Sequence, residues 1–570
     1  MFSKETLQKD KGLKEKWEKA SSDILTGQKL NLRTSSGIEL KPLYTPEDLA
    51  EMDYYKLGVP GEYPYVRGNY SLQYQINPFI QNQFFGFGTP SETRGRRDWL
   101  AKLGCSYKVG TEEQLPLVIA MDLPTLKGLD PDEPEARGRV GHGGVSISTI
   151  DDIGVIMEGL PLDKTCVIWN AFDGTLPIHA LYFAYALDIR REPLERLFMA
   201  IPNNISNQWA HDWAGFPHKT AIKLEIELIK FIINNCPTSL HTVIEGYETA
   251  EAGATPVQEV AVMLAYAIYL MEECIKAGLD PDAVAPGLWA HHHLSLNIFE
   301  EIAKLRAARK LWARIFKERF GCNKPESIKY KIIAAETAGI ELTALEPLNN
   351  IIRLTIMTLA GILGGVEGIF TAAYDEALGI PTEESAQVAV RTQQILAEET
   401  DLCWVTDPLG GSYYIEWLTK RIEEEVVNLL GRIEEMGGFL RACESGWIRR
   451  EIARSANERQ EKIKQGEKVI IGVNKYRIEQ RPKIKGFRVP LEVEERIRER
   501  LGRYKRDRDN SKIKSSLGQI KEAAEKIEKE WPESCGSLMP VLIEASRAGC
   551  TLGEMHGVLR EVFGYGFYSG

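Results

Sequence analysis

Eight short apolar segments, separated by longer amphipathic stretches, most constrain the fold of this chain. They recur between about residues 80 and 380, and apolar residues at helical spacing fill the intervening stretches, as at 257–277 and 298–320. The eight predicted strands are FFGFG (84–88), LPLVIAMDL (115–123), CVIWNAF (166–172), RLFMAIP (196–202), HTVIEGY (241–247), GLWAHHHLSL (287–296), YKIIAAETAG (330–339) and GILGGVEGIF (361–370). This alternation predicts an α/β fold of the (β/α)8 TIM-barrel type, with functional residues at the carboxyl ends of the strands.

The remainder of the chain divides into an N-terminal extension and a C-terminal helical region. The extension, residues 1–40, contains a charged helix at 4–22 that is expected to lie across the body of the protein or a partner. Residues 41–425 are assigned to the barrel and residues 426–570 to the helical region. The predicted helices from Tyr413 onward are 415–437, 445–465, 490–505 and 510–565.

The charge balance and the cysteines limit the classes of function. The chain carries 70 Lys and Arg against 81 Asp and Glu, a net charge of −11, which argues against a general nucleic-acid-binding surface. The N-terminus lacks the apolar core of a signal peptide, and no segment approaches the ~20 apolar residues of a membrane-spanning helix. Nine scattered cysteines without a Cys-x-x-Cys pair are typical of reduced thiols. A cytoplasmic protein without membrane contact is expected.

Five phrases occur in a fixed order along the chain. They are YPYVRGNY (63–70), EAGAT (251–255), KLRAARKLWA (304–313), DPLGGSYYIEWLT (407–419) and GVNKYR (472–477). Together they resemble the catalytic large subunit of the coenzyme-B12-dependent acyl-CoA mutases, the group that contains methylmalonyl-CoA and isobutyryl-CoA mutase. The resemblance covers residues 40–570. It implies an isomerase that rearranges the carbon skeleton of an acyl-CoA through radicals, with adenosylcobalamin at the carboxyl-end mouth of the barrel.

One motif of that family does not occur in the sequence. Asp-x-His-x-x-Gly carries the histidine that ligates cobalt in the family, and no segment matches it. The resemblance therefore implies that a separate small subunit supplies the cobalamin domain and the lower cobalt ligand, as in the split members of the family. It also suggests a G-protein chaperone as a further partner.

Several positions match residues that bind substrate or cofactor in the family. Tyr70, which closes the first phrase, matches a tyrosine that contacts CoA. Glu251, Gly339 and Glu376 match residues near the corrin or its adenosyl group, and Ala377 directly follows. A structural alternative for Glu251 and Glu376 is a carboxylate at a helix start, where the helix dipole favours negative charge.

Other positions depart from the family at the reacting group. The family's catalytic histidine follows a tyrosine, whereas Tyr247 is followed here by Glu248. Glu248 could donate a hydrogen bond to a thioester carbonyl if a dry pocket kept it protonated, or it could pair with a cation. Phe84 replaces the tyrosine that gates the radical in methylmalonyl-CoA mutase; isobutyryl-CoA mutase has phenylalanine there. Asp212 lies where an arginine clamps the methylmalonyl carboxylate, which argues against methylmalonyl-CoA as the substrate.

The CoA-binding side has also changed. Family arginines fall on Asn77 and Asn82, and an arginine–serine pair falls on Gly287 and Trp289. Either other cations replace them, or the substrate is not an ordinary CoA ester. The nearby arginines are Arg67, Arg94, Arg96 and Arg97.

Three consecutive histidines, His291, His292 and His293, lie in the sixth predicted strand. Because side chains alternate along a strand, His291 and His293 share one face. They could ligate a metal together with carboxylates from other strand ends, contact the substrate, or serve a structural role, and substrate contact is the favoured interpretation. The carboxylates concerned are Glu248, Asp173, Asp212 and Glu336.

Two other functions compete with the mutase. One is a metal-dependent TIM-barrel hydrolase or lyase built on His291 and His293, and the other is a non-catalytic or ligand-binding mutase paralogue. The glycine-rich GRVGHGGVS (138–146) lacks the strand-then-helix setting of a dinucleotide loop, so we interpret it as close backbone packing under the corrin.

Overall fold

A computed structural model describes most of the chain. The described residues are 2–25, 32–76, 78–105, 107–109, 112–205, 214–336, 339–478 and 489–566. The strands are β1 Ile80–Asn82, β2 Phe84–Phe85, β3 Tyr107–Val109, β4 Glu112–Ala120, β5 Thr165–Asn170, β6 Phe198–Met199, β7 Thr242–Glu245, β8 Leu288–Leu294, β9 Ile332–Glu336 and β10 Gly368–Phe370. Each of the eight predicted strand segments overlaps one of these strands.

Helices fill the connections between the strands and the C-terminal part of the chain. They are α1 Lys4–Leu25, α2 Tyr54–Leu57, α3 Pro90–Lys102, α4 Leu123–Leu126, α5 Ile150–Met157, α6 Thr175–Ala184, α7 His218–Asn235, α8 Tyr247–Glu251, α9 Pro256–Lys276, α10 Pro281–Val284, α11 Ile298–Arg314, α12 Pro325–Ile328, α13 Asn349–Leu363, α14 Glu383–Glu398, α15 Tyr413–Glu435, α16 Phe439–Glu444, α17 Trp447–Lys464, α18 Glu492–Asp507, α19 Asn510–Glu530, α20 Leu538–Ala548 and α21 Leu552–Phe563. None of the described helices is both long and apolar enough to cross a membrane.

The strands form two mainly parallel sheets. One has the order β1-β10-β9-β8-β7, the other has the order β2-β4-β5-β6, and β3 pairs antiparallel with β4. The register places His291 of β8 opposite Glu245 of β7 and Ile333 of β9. Because parallel strands end at the same edge, this register brings the final residues of β7 and β8 together.

The two sheets approach each other at both of their borders. Ala200, after β6, makes a parallel bridge with Leu240, before β7, and the N–H of Ile201 donates to the Leu240 carbonyl at 2.8 Å. At the other border, only Gln83 separates β1 from β2. Strands from both sheets also share one apolar cluster, formed by Val118, Cys166, Ile168, Ala200, Val243, Trp289, Ala335 and Phe370.

Two elements differ from the sequence-based prediction. The segment 361–370 is a strand only at Gly368–Phe370, because its first residues complete α13. That helix ends at Gly364 and Gly365, and Gly365 has a φ of +79°, a conformation that ends helices. The helix predicted at 510–565 is three helices, because Pro532 lacks a backbone donor and Gly549 adopts a φ of +97°.

Helix α11 carries buried cations that connect three of the sequence phrases. Arg306, 1% exposed, binds Asp407 and Glu416 of the DPLGGSYYIEWLT phrase, the latter at 2.6 Å. Arg67 of YPYVRGNY reaches the same Asp407 through its Nε at 2.6 Å. Arg309 donates to the carbonyl of Tyr65 at 3.2 Å. These phrases therefore hold distant parts of the chain together, since a buried charge must be paired.

A third buried cation of α11, Lys304, contacts the backbone of β8. Its Nζ lies 2.9 Å from Glu259 and donates to the His293 carbonyl at 2.6 Å. Glu259 also lies 2.6 Å from the Nδ1 of His292, whose ring faces the helices. Although burial favours the neutral acid, Lys304 and His292 hold the pKa of Glu259 below its usual value.

Replacing Arg306 tests the importance of this network. Arg306→Met leaves the buried Glu416 without its cation, so we expect the free energy of unfolding to fall by about 3 to 5 kcal/mol. Urea denaturation of the chain measures this change. Arg314→Met on the same helix is the control; its ion pair with Glu423 is half exposed, so a loss below about 1 kcal/mol is expected. Equal losses in the two variants would contradict the assignment.

Candidate active site

A cavity of about 990 Å3 lies at the carboxyl ends of the parallel strands. The strand residues that line it come from both sheets and include Phe84, Phe85, Ala120, Asn170, Glu245, His291, Ala335 and Phe370. His142 and Gly143, from the glycine-rich 138–146 segment, and Leu491 also line it. The cavity therefore lies at the end of the strands where the sequence analysis expects functional residues.

His291 and Glu245 form the central polar pair of this cavity. The Nδ1 of His291 lies 3.1 Å from Glu245 Oε2, and both side chains are largely buried. The ring of Tyr247 stacks on the imidazole, with centroids 5.1 Å apart and planes within 10°. The other ring nitrogen, Nε2, is buried and has no hydrogen-bond partner among the described residues. The site thus presents one polar atom that a bound molecule can satisfy.

The charge state of His291 follows from its carboxylate neighbours. Burial by itself lowers the pKa of the imidazole, but the carboxylates of Glu245 and Glu248 outweigh burial, and the pKa lies above its ordinary value. Glu248 is half-buried at the start of α8, and its N–H donates to Glu245 at 3.4 Å. The predicted residues Tyr247, Glu248 and His291 are therefore brought together, around a carboxylate that the sequence analysis missed. Its only signal was its place as the last residue of a buried strand.

Aromatic residues close the opposite wall. The rings of Phe84 and Phe370 lie 4.8 Å apart, and Phe370 also contacts the His291 ring at 6.0 Å. Phe84 is 37% exposed, so its ring faces the cavity space. Close backbone packing of 138–146 is also observed, because a Cβ on Gly144 would lie 2.0 Å from the carbonyl carbon of Met121.

The other two histidines do not share the environment of His291. His293 lines a separate cavity of about 120 Å3 with Glu341 and Arg459, and burial lowers its pKa to about 3. Asp173 accepts a hydrogen bond from Tyr565 at 2.7 Å. The expectation that His291 and His293 meet in one pocket is wrong, because their side chains line different cavities. Among the described residues, no group of three or more His, Cys, Asp or Glu is arranged to hold a metal ion.

A second large cavity, of about 1080 Å3, lies at the amino ends of the strands. Tyr70 lines it, and the ammonium of Lys329 lies 4.9 Å from the centre of the Tyr70 ring. Lys331 is a further cation of this cavity. Trp289 lines both large cavities, so its side chain lies between them. Sequence reasoning missed the lysines, although both flank Tyr330 directly before β9.

The arginines near the altered CoA positions lie elsewhere. Arg67 pairs with Asp407, Arg94 with Glu158, and Arg97 with Asp98. Arg96 lines the carboxyl-end cavity and donates to the Pro381 carbonyl at 3.4 Å. None of the four lines the Tyr70 cavity.

Of the other predicted substrate residues, Asn82 lies in the described part of the chain and Asn77 and Asp212 do not. Asn82 is buried, and its side-chain oxygen accepts a hydrogen bond from the N–H of Gln83 at 2.7 Å. Asn77, Asp212 and the side chain of Glu336 lie outside the described residues.

Comparison with known proteins assigns the family. The sequence model of the family described as methylmalonyl-CoA mutase matches residues 33–565. This chain belongs to the methylmalonyl-CoA mutase family. The methylmalonyl-CoA mutase of Escherichia coli (strain K12) is 35% identical over 535 residues, which cover 93% of this chain and 72% of that protein. The 2-hydroxyisobutanoyl-CoA mutase large subunit of Aquincola tertiaricarbonis is 32% identical over 540 residues, 94% of this chain and 93% of that subunit. A probable mitochondrial methylmalonyl-CoA mutase of Caenorhabditis elegans is 34% identical over 558 residues, 96% and 72% of the two chains.

Mutases of this family are isomerases of acyl-CoA thioesters and depend on coenzyme B12. Two residues that the family resemblance places near this cofactor contact each other here: the N–H of Gly339 donates to Glu251 Oε1 at 3.2 Å. A Cβ on Gly339 would lie 2.1 Å from Glu251 Oε2, so the glycine leaves room for that carboxylate. Gly143 at the cavity has open space at its own Cβ position. Together with the unpartnered His291 Nε2, these features fit a large molecule at the carboxyl-end mouth.

Glu376, the third predicted cofactor residue, lines the same cavity, and Ala377 lies beside it in a short 3-10 turn. Burial and the neighbouring Asp375 carboxylate raise the pKa of Glu376 to about 7. The group therefore exchanges a proton near neutral pH in this mutase.

This pKa predicts a pH-dependent stability. In the folded chain, Glu376 keeps its proton up to about pH 7, whereas in the unfolded chain it loses the proton near the ordinary pKa of a glutamate, 4.5. The free energy of unfolding therefore falls as pH rises from about 4.5 to about 7. Glu376→Gln removes this loss, and we expect the free energy of unfolding of the variant to exceed that of the parent by about 3 kcal/mol at pH 8 but by less than about 1 kcal/mol at pH 5. Urea denaturation at both pH values measures the difference. The control, Glu383→Gln at an exposed position, is expected to follow the parent; a pH-independent effect of Glu376→Gln would refute the prediction.

Proposed function

We propose that this chain is the large subunit of an adenosylcobalamin-dependent mutase that rearranges the carbon skeleton of an acyl-CoA other than methylmalonyl-CoA. The observation that carries the proposal is the pair of large cavities at opposite ends of the strands, with Trp289 lining both. One cavity offers the unpartnered His291 Nε2 at the carboxyl strand ends, and the other offers cations at the amino ends. In this proposal a long thioester spans the two cavities, with its reacting group at the carboxyl ends of the strands and its nucleotide at the amino ends.

The proposed architecture is a (β/α)8 barrel in which the two sheets form one closed wall. The Ala200–Leu240 bridge, the single residue between β1 and β2, and the shared apolar cluster support this arrangement. In the proposed division, residues 1–40 are an extension, 41–425 the barrel and 426–570 a helical region. The 425/426 boundary falls within α15.

The amino-end cavity is proposed to bind the CoA part of the substrate. Tyr70 supplies an aromatic face, and Lys329 and Lys331 supply positive charge for phosphate groups. These lysines would take over from the arginines that the family has at Asn77 and Asn82. An ordinary CoA ester is then compatible with the chain.

The carboxyl-end cavity is proposed to hold the acyl group. Phe84 and Phe370 give it an apolar wall that excludes water from the reacting carbons. Glu245, Glu248 and Glu376 also line it, so a substrate carboxylate would meet negative charge rather than a bidentate arginine. This environment favours an acyl group without a free carboxylate over methylmalonyl-CoA.

The cofactor is proposed to lie over the same mouth. Adenosylcobalamin, when bound, supplies the radical that starts the rearrangement. Glu251, positioned by Gly339, and Glu376 with Ala377 are the residues of this chain that would hold it. We propose that a separate small subunit carries the cobalamin domain and the lower cobalt ligand, with a G-protein chaperone as a further partner and the cytoplasm as the location.

Co-purification and turnover test this function. The tagged chain, expressed in its native host with cobalamin supplied, is expected to carry a small Asp-x-His-x-x-Gly protein and a corrin absorption spectrum. The complex is then expected to isomerise an acyl-CoA, detected by mass spectrometry, and to leave methylmalonyl-CoA largely unchanged. A chain that binds no corrin and turns over no thioester would overturn the proposal.

Gly339→Ala tests the cofactor side separately. The added Cβ would displace the Glu251 carboxylate, and loss of one charged hydrogen bond is expected to weaken adenosylcobalamin binding by about tenfold or more. Spectroscopic titration of the complex measures the dissociation constant. Gly431→Ala, on α15 with open space at its Cβ position, is the matched control and should bind like the parent. Unchanged affinity in Gly339→Ala would remove Glu251 from the cofactor site.

A further inference from the structure

We propose that His291, paired with Glu245, is the hydrogen-bond donor to the substrate's thioester carbonyl oxygen in this enzyme. The inference rests on the proposed mutase function and names a residue for a task that the family gives to a histidine at the position of Glu248. The donor has therefore moved from the start of α8 to the neighbouring strand β8.

The geometry leaves one nitrogen of His291 for a ligand. Nδ1 is engaged by Glu245 at 3.1 Å, and the stacked ring of Tyr247 holds the imidazole plane. Nε2 is buried and unpartnered among the described residues, and His291 lines the cavity. A buried polar atom of this kind costs free energy until a partner satisfies it, and a thioester oxygen can accept its hydrogen.

The Glu245 carboxylate determines which nitrogen of the His291 ring carries a hydrogen. A neutral imidazole next to Glu245 keeps its hydrogen on Nδ1, where it bonds the carboxylate, and leaves Nε2 as an acceptor. Only the imidazolium carries a hydrogen on Nε2 as well. The ion pair thus converts a ring that would repel a carbonyl oxygen into a charge-assisted donor.

The surrounding charges favour the imidazolium. Glu245 on β7 and Glu248 on α8 face the ring, and Glu259 of α9 lies close enough to act on it through its charge. The other charged cavity residues are Glu376, after β10, and Arg96 of α3. Carboxylates outnumber cations around the ring, and this balance also gives Glu248 a role: it helps to charge the donor.

A titration of the chain alone tests the ion pair. With histidines labelled at 13Cε1, the NMR signal lost in His291→Phe identifies His291, and its pKa is expected above that of an ordinary histidine. In Glu245→Gln the pKa is expected to fall by about one unit or more. His218→Gln, outside the cavity, is the control and should leave the His291 signal unchanged. A His291 that titrates alike in the parent and in Glu245→Gln would overturn the inference.

Kinetics of the holoenzyme test the donor. His291→Phe keeps a ring for the stack but no donor, and kcat is expected to fall by about 100-fold or more. Parent kcat should decline as pH rises through the His291 pKa, and Glu245→Gln should shift that decline to lower pH. His291→Gln, a neutral donor, should recover part of the rate and lose the decline. The double variant Glu245→Gln/His291→Phe removes both charges; it should fold, and its kcat should remain as low as that of His291→Phe.

The outcomes separate this inference from the proposed function. If the parent turns over an acyl-CoA and His291→Phe keeps its kcat, or if the pH profile does not move in Glu245→Gln, only the inference fails. If the parent complex turns over no thioester, the mutase function fails and the donor assignment fails with it.

Discussion

The buried cations of α11 are the interaction on which the arrangement of the chain depends. Arg306 and Lys304 lie on one helix, yet their carboxylate partners Asp407 and Glu259 lie on either side of it in sequence, in the DPLGGSYYIEWLT phrase and in α9. Removing one partner would leave the other charge buried and unpaired, so these pairs hold α9 and the segment before α15 against α11. The sequence phrases that resemble the family therefore contribute largely to the stability of the fold.

That framework has a direct consequence for the site. Lys304 also donates to the carbonyl of His293, and His292 binds Glu259 on the helix side of β8. Because strand side chains alternate, anchoring His292 outward turns His291 toward the cavity. The histidine that faces Glu245 is thus positioned by a charge network that never reaches the cavity itself. The buried pairs that stabilise the fold thus also determine which side chains of β8 face the cavity.

The eight strand segments and most helices could be predicted, because apolar periodicity reflects burial directly. The failures have local causes. Two glycines place the end of α13 inside the apolar run 361–370, and Gly549 and Pro532 divide the last helical stretch. For the site, Tyr247 and Glu248 were found from the family resemblance, and His291 from the three consecutive histidines in a predicted strand. Glu245, Lys329 and Lys331 were missed, because a carboxylate or lysine next to a strand is indistinguishable in sequence from a solvated one.

The sequence by itself determined the alternation of strands and helices, the acidic charge and the family phrases, since each depends on neighbouring residues or on residue identity. Tertiary structure alone decided which of three consecutive histidines faces the cavity, that His291 and His293 line separate cavities, and that Glu245 lies opposite His291. Those facts follow from strand register and from buried pairs formed between residues far apart in the chain. Such pairing energies depend on distances that only the folded chain establishes.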